Sequence, residues 1–435
     1  MTPKLCPQQH GFRSHRSTHS AQTQFSQDLW TALDCPKARV GAVFIDLKKA
    51  FNTVQTEILL HKLAFRFQLS ASLVKVIANF LFLRTFTIKL GNSVSKVFPE
   101  ANSVPQGSTL GPLLFAAFID DICEVVNLPF LLYADDLVFY CPGSHPQEIV
   151  DKLNLTLREV HGWCERNGIS ITLDKNFFQF LHKPNDTFPA FTNPSLNDHE
   201  LSRVVHFKYL GLTFDSCLNF KKHFNLVKKR LSSVVGRMKC ISKYLPPRAF
   251  SILFKAFVIP TYDYGLDIWG VQSHLEMAKL QNPINNLLLS AFHPSLSRKL
   301  RRSFLKGNKT TRAKIFKSYK SNLEVTPLLL QLNILTVPER LQWVCLKTIY
   351  KSITSLSLGL TQFYQRSPRA SRSFPLLVVP AGRTKFVRNS VVCRSIALWN
   401  DLPKSWNFDA LNLKEFKQLV FQHIVSKRRE SFVKF

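Results

Sequence analysis

The sequence predicts an α+β fold, an antiparallel sheet with packed helices followed by a mainly helical and strongly basic region. Short apolar runs that end at acids predict the sheet. Apolar residues at three- and four-residue steps between them predict the helices. The charge then divides the chain in two. Residues 1–216 hold 20 Lys+Arg against 19 Asp+Glu, whereas residues 217–435 hold 38 against 9, so nearly all of the net +30 lies in the second half.

Taken in order, Val40-Gly41-Ala42-Val43-Phe44-Ile45 reads as a buried strand delivering Asp46 at its end. Residues 56–83 read as helical through Leu59, Leu60, Leu63, Leu73, Val76, Ile77 and Phe80. Residues 86–90 and 93–98 flank Gly91-Asn92 as a hairpin. A Gly/Pro-rich loop over 103–112 leads into a helix over 113–125. Residues 131–140 read as a second hairpin with Asp135-Asp136 at its tip. The stripe Ile149, Leu153, Leu157, Val160 predicts a helix over 147–166, closed by Asn167-Gly168. Strands follow at 169–173 and 177–181, then a polar loop over 183–200, then a strand pair over 204–214 turning at Tyr209-Leu210-Gly211. Beyond 220 the pattern is helical and basic, punctuated by Pro246-Pro247 and Pro260. Residues 298–322 read as a basic linker, and the sequence leaves the fold of 323–435 open.

No apolar run reaches the roughly 18 residues of a membrane helix, and the N-terminus has no signal-like apolar stretch, so no membrane partner is expected. The nine cysteines are scattered with no Cys-x-x-Cys pair, which predicts free thiols in a reducing, intracellular setting and gives a zinc site no support. No acid occurs between Met277 and Leu323, where Arg298, Lys299, Arg301 and Arg302 begin a dense run of cations. Such a run is either a solvated linker or a set of phosphate contacts to nucleic acid.

Adjacent carboxylates among apolar strands are costly unless they hold something positive. Paired carboxylates bind Mg²⁺, and two such ions can run phosphoryl transfer. The dipeptide recurs at Asp120-Asp121, and an acidic turn is most often merely solvated, so Tyr133-Ala134-Asp135-Asp136 gains its meaning from Asp46 and the loop between them. If Asp46 and Asp135 end neighbouring strands, both carboxylates face one cavity.

Six ordered blocks resemble the reverse transcriptases of non-long-terminal-repeat (LINE-type) retrotransposons. They are Gln9-His10-Gly11-Phe12-Arg13 with Ser17-Thr18; residues 44–51 around Asp46; residues 104–112 around Gln106-Gly107; Tyr133 to Asp136; Lys175; and residues 206–211. Residues 260–265 and 398–403 are similar, more weakly, to the region after the palm of these elements. The resemblance implies a right-hand polymerase: partial fingers over 1–39, a palm over 40–216, a thumb-like helical region over 217–297, then the linker and C-terminal region. It implies an RNA template, a DNA primer, dNTPs, and Mg²⁺ or Mn²⁺, in a nuclear or cytoplasmic ribonucleoprotein.

Residue by residue, Asp46, Asp135 and Asp136 would be the catalytic carboxylates converging on shared metal ions, with Asp136 the more peripheral. Phe51 would be the ring that leaves no room for a 2′-hydroxyl; without the motif it would read as one more of 37 phenylalanines in a core. Gln106 and Gly107 would meet the template and nascent pair, and Lys175, otherwise a surface lysine, the nucleotide phosphates. Tyr209, Leu210 and Gly211 would grip the primer. The chain departs from the pattern in beginning the first block at residue 9, so that Arg13 and Arg16 are the basic residues left there to hold a triphosphate. Asn52 stands where Asp is usual, and Ser103 where Gly often precedes the Gln-Gly loop. A nucleic-acid-binding remnant without catalysis is therefore the competing expectation.

Overall fold

The computed structural model describes residues 5–292, except 83 and 101, and residues 325–433, except 355–363, 366, 368–375, 381 and 383. The basic run containing Arg298, Lys299, Arg301 and Arg302 lies outside the described residues. The chain packs as two units, Met1–Leu210 with Ser216–Leu218, and Gly211–Asp215 with Asn219–Phe435.

The first unit opens with helix α1, Thr18–Asp34, followed by strand β1, Arg39–Ile45. Helices α2, Thr56–Phe65, and α3, Ala71–Leu81, precede four short strands: β2 Arg84–Phe86, β3 Lys89–Leu90, β4 Ser93–Val94 and β5 Phe98–Glu100. Helix α4, Gly111–Ile119, leads to strands β6, Phe130–Tyr133, and β7, Asp136–Gly143. Helix α5, Pro146–Arg166, is followed by β8, Phe177–Leu181, the short pair β9, Ser195–Leu196, and β10, His199–Glu200, then β11, Ser202–Arg203, and β12, His206–Tyr209.

All seven residues of β1 are buried because it is the middle of a five-stranded sheet, ordered β11-β8-β1-β7-β6. Its neighbours β7 and β8 run antiparallel to it, and β11 joins β8 in parallel. Helix α5 lays its predicted stripe, Ile149, Leu153, Leu157 and Val160, into the core over this sheet. Gly41 is required there: a Cβ would stand 2.6 Å from Ile149 Cγ2 and 2.8 Å from Leu153 Cδ1.

Three expectations need correction, and one helix was not foreseen. The 56–83 helix is two helices, because Gln68 turns at φ 52° and the Ser70 hydroxyl caps α3 by accepting the Leu73 N–H. Leu73 and Val76 consequently face outward. The helix expected over 113–125 gives way at Asp120 to a 3₁₀ turn, where the Asp120 carboxylate accepts from the Cys6 N–H (2.6 Å) and Arg66 Nε (2.8 Å). Residues 169–173 form no strand: Ile171 makes a single bridge to Leu47, then the chain coils into a 3₁₀ turn, Leu173–Lys175. Helix α1 is absent from the sequence reading because it buries Gln22, Thr23, Ser26 and Gln27 alongside Phe25, Leu29 and Leu33, which blurs its apolar face. The readable signal is the Ser17 cap, closed reciprocally with Ser20.

The second unit begins with strand β13, Leu212–Asp215, and continues as helices among its described residues, from α6, Lys221–Ser242, to a last helix at Leu413–Val433. Helices Val337–Thr354, Val391–Asn400 and Leu413–Val433 share a core of Tyr350, Ile396, Trp399 and Phe416. Arg340 holds Asp263 through two parallel bonds, 2.6 and 2.8 Å.

Each unit buries a neutral histidine. His10 lies 2.8 Å from Ser20 Oγ, and burial with Arg16 and Arg13 nearby pushes its pKa down to about 3. The Thr213 N–H donates to His223 Nδ1 (3.2 Å), and burial, aided by Arg230, lowers that ring to about 4. Both folded values lie below the free imidazole value, so their stability contribution is complete above about pH 6.5 and is lost as pH falls toward the folded pKa. We expect roughly 3 kcal/mol of destabilisation from each on acidification, seen as a falling denaturation midpoint between pH 6.5 and 4. His10→Gln and His223→Gln should each flatten that slope; an unchanged slope would contradict the assignment.

Candidate active site

The strand register decides which acids share a face. In the β1–β7 ladder Ile45 pairs with Leu137, so the next pair outward is Asp46 with Asp136. Directly opposed residues project to the same side of a sheet, and like charges there repel. On the other side of β7, Tyr133 pairs with Asp136 across a two-residue turn of Ala134 and Asp135. Ala134 sits at φ 57°, an uncommon conformation for a residue with a Cβ.

The backbone of Asp46 is clamped: its N–H donates to Asn176 Oδ1 (2.9 Å) and its carbonyl accepts from the Thr172 N–H (3.0 Å). The 3₁₀ turn beside it sets Lys175 Nζ 3.7 Å from Asp46 Oδ2. Asp46, Asp136 and Lys175 line one cleft of about 210 Å³, floored by Phe44, Phe207 and Tyr209. Phe44 stacks on Phe207 with ring centroids 3.7 Å apart. Asn176 has no counterpart in the sequence reading, its only signal being its place beside Lys175, whereas Phe207 lies within the 206–211 block without a role assigned to it.

The electrostatics are those of a site short of positive charge. Burial, then Asp135 and Asp46, push the Asp136 carboxyl up to about 6. Burial and Asp46 raise Asp135 against the pull of its own backbone N–H. Among the described residues no Lys, Arg or His pairs with Asp135 or Asp136. Each acid feels another's charge, Asp46 acting on Asp135 and both of these on Asp136. Among the described residues no three His, Cys, Asp or Glu side chains stand close enough to hold an ion, and the register pairs Asp46 with Asp136, not Asp135. The donor set still fits a hard divalent cation, being all carboxylate oxygen with a repulsion that such an ion offsets.

The other expected residues fall in three places. Tyr209 is buried, its hydroxyl pushed up by burial and by Asp136, and Gln22 Nε2 of α1 donates to the carbonyls of Leu210 (2.6 Å) and Tyr209 (3.4 Å). Leu210 and Gly211 turn at φ 46° and 96°. Phe51 does not line the cleft; it stacks on Phe115 at 4.3 Å, and Phe12 meets it edge-on at 6.1 Å. Gln106 is exposed and donates to Asn52 Oδ1 (3.0 Å), so the atypical Asn is the partner of the template-loop glutamine. Gly107 turns at φ 82° with open space around it. Arg13 is committed elsewhere, donating to the carbonyls of Cys6 (2.6 Å) and Leu5 (3.3 Å).

In the second unit, α6 buries Phe224, Val227, Leu231, Val235 and Met238 and exposes Lys221, Lys222, Lys229, Arg230, Arg237 and Lys239, with no acid in the helix. A larger cavity of about 570 Å³ there, lined by Lys255, Arg340 and Phe421 among others, contains no carboxylate and so offers no such reaction centre.

Residues 1–214 match the model of the family described as reverse transcriptase (RNA-dependent DNA polymerase). The chain is similar to the RNA-directed DNA polymerase from mobile element jockey of Drosophila melanogaster, 28% identical over 287 residues, which is 62% of this chain and 30% of that protein. It is similar to the probable RNA-directed DNA polymerase from transposon BS of the same species, 27% identical over 290 residues, 63% of this chain and 31% of that protein. The chain thus spans about a third of the length of these relatives. A solved telomerase of Candida albicans, in complex with a fragment of telomeric RNA, has a TM-score of 0.34 at 15% identity over 66% of this chain and 53% of that one, a distance at which it places no residue.

Proposed function

Residues 1–214 belong to the reverse transcriptase family, in company with the polymerases of LINE-type mobile elements, and from this premise we propose that the cleft between Asp46 and Asp136 adds deoxynucleotides to a primer 3′-hydroxyl on an RNA template. The observation that carries it is the face-sharing pair Asp46 and Asp136 in one cleft, with Lys175 beside Asp46 and no basic partner on Asp136 among the described residues. Asp46, Asp135 and Asp136 would hold Mg²⁺ or Mn²⁺, which supplies activation of the 3′-hydroxyl and charge stabilisation of the leaving pyrophosphate. Lys175 would draw the nucleotide phosphates toward Asp46, Tyr209 and Leu210 would hold the primer end, and Gln106 the template. The first unit would then carry the partial fingers and the palm, and α6 would be the face that meets duplex phosphates.

Binding through α6 should weaken steeply with salt. If its six exposed cations each meet a phosphate, the logarithm of affinity should fall with that of salt at a slope of about −4 to −5. Lys229→Gln with Arg230→Gln should lower the slope by about 2. An unchanged slope would remove α6 from the interface.

A second reading, a binding remnant without catalysis, is favoured by Arg13 being spent on backbone carbonyls. Extension of oligo(dT) on poly(rA) by the purified chain separates the two. Processive or single-nucleotide extension supports the polymerase; salt-sensitive binding with no extension in Mg²⁺ or Mn²⁺ supports the remnant.

A further inference from the structure

We infer that Gln9 is a positioning residue that fixes the shape of the acidic turn. This rests on the polymerase reading of the cleft. Ala134 holds a positive φ that its Cβ disfavours, so something must impose it. The Gln9 side chain is buried, and its Oε1 accepts from both the Ala134 N–H (3.1 Å) and the Gly11 N–H (2.7 Å). Those two donors fix which end of the amide faces the turn. They leave Nε2 buried with no partner among the described residues, a polar cost that a merely space-filling side chain would not carry.

The segment bearing Gln9 is itself aligned on β6. The Leu132 N–H donates to the Gln8 carbonyl (3.0 Å) and the His10 N–H to the Leu132 carbonyl (2.7 Å). Gly11 makes the approach possible, since a Cβ there would stand 2.4 Å from the Ala134 nitrogen. The next residue, Phe12, meets Phe51 edge-on. One four-residue stretch therefore touches both the turn carrying Asp135 and the ring of Phe51. Sequence spacing hides this link, because Gln9 and Ala134 are 125 residues apart.

Amide hydrogen exchange of the turn and Mn²⁺ affinity by titration calorimetry test the inference without needing turnover. Gln9→Met keeps the side-chain volume and removes the acceptor. It should speed exchange at Ala134 and weaken Mn²⁺ binding by about 10- to 100-fold, as loss of a residue supporting metal ligands does. Gln9→Glu, which keeps an acceptor for both N–H groups, should restore protection. Should Gln9→Met fail to fold, Gln9→Asn, which withdraws the amide by one methylene, carries the same expectation. Unchanged exchange at Ala134 and unchanged Mn²⁺ affinity in the folded variant would overturn the role. A wild-type chain that protects Ala134 but extends no primer would sink the polymerase reading and leave the brace standing.

Discussion

Asp136→Asn is expected to abolish primer extension while making the protein slightly more stable. The two effects have one cause. Asp136 opposes Asp46 across the ladder and neighbours Asp135, and burial plus these charges raise its carboxyl to about 6. Removing one negative charge relieves repulsion that solvent only partly screens. Because Asp136, though partly shielded from water, keeps part of its surface open to solvent, the relief should be no more than about 1 kcal/mol. That amounts to a rise of about 2–4 °C in the thermal midpoint for a unit of this size. Activity should drop at least ~10³-fold, since the reaction depends on charge stabilisation that the acids supply through their metal ions. Calorimetry and extension assays on the same preparation check it. A variant that is destabilised and retains activity would assign Asp136 to the fold.

The opposite balance is expected at Lys62. Its ammonium is buried and donates to the Phe118 carbonyl (2.7 Å), Asp121 Oδ1 (2.7 Å) and Asn167 Oδ1 (2.6 Å), joining α2 to the turn after α4 and to the end of α5. The rings of Phe118 and Trp163 lie 4.6 and 5.1 Å from it. Lys62→Met leaves these acceptors facing an apolar group, including a carboxylate whose other partner is Trp163 Nε1. The expected loss is about 3 kcal/mol, or on the order of 10 °C, because breaking one side of a buried pair strands the other. Lys62→Met combined with Asp121→Asn should recover part of that loss, and a strictly additive pair in denaturant titrations would contradict the coupling.

These two sites show what was legible in the sequence. Asp120-Asp121 and Asp135-Asp136 are the same dipeptide. The first is consumed by structure: Asp120 takes Arg66 and the Cys6 N–H, and Asp121 takes Lys62 and Trp163. The second has no basic partner among the described residues. Local spacing cannot separate them, because the partners come from 42 to 114 residues away. Short apolar runs were readable because strands and one-sided helices have fixed periods; β1, β8 and α5 lie within a residue of where those periods put them. Helix α1 was not, since its buried face is largely amide and hydroxyl. The pairing of Asp46 with Asp136 depends on ladder register, which the motif order leaves open. The N-terminal block was visible as a motif, yet its work of holding Ala134 appears only once the backbone folds back on β6.

The measurement that bears most directly on the central claim is incorporation of a labelled dNMP into an RNA-templated DNA primer by the purified wild-type chain and by Asp46→Asn, in Mg²⁺ and in Mn²⁺. Asp46 is the residue to change, because its backbone is anchored by Asn176 and Thr172, so the Asn variant should keep its place. Extension by the wild type should disappear in Asp46→Asn while affinity for the template–primer is retained. Equal incorporation by both proteins would contradict it.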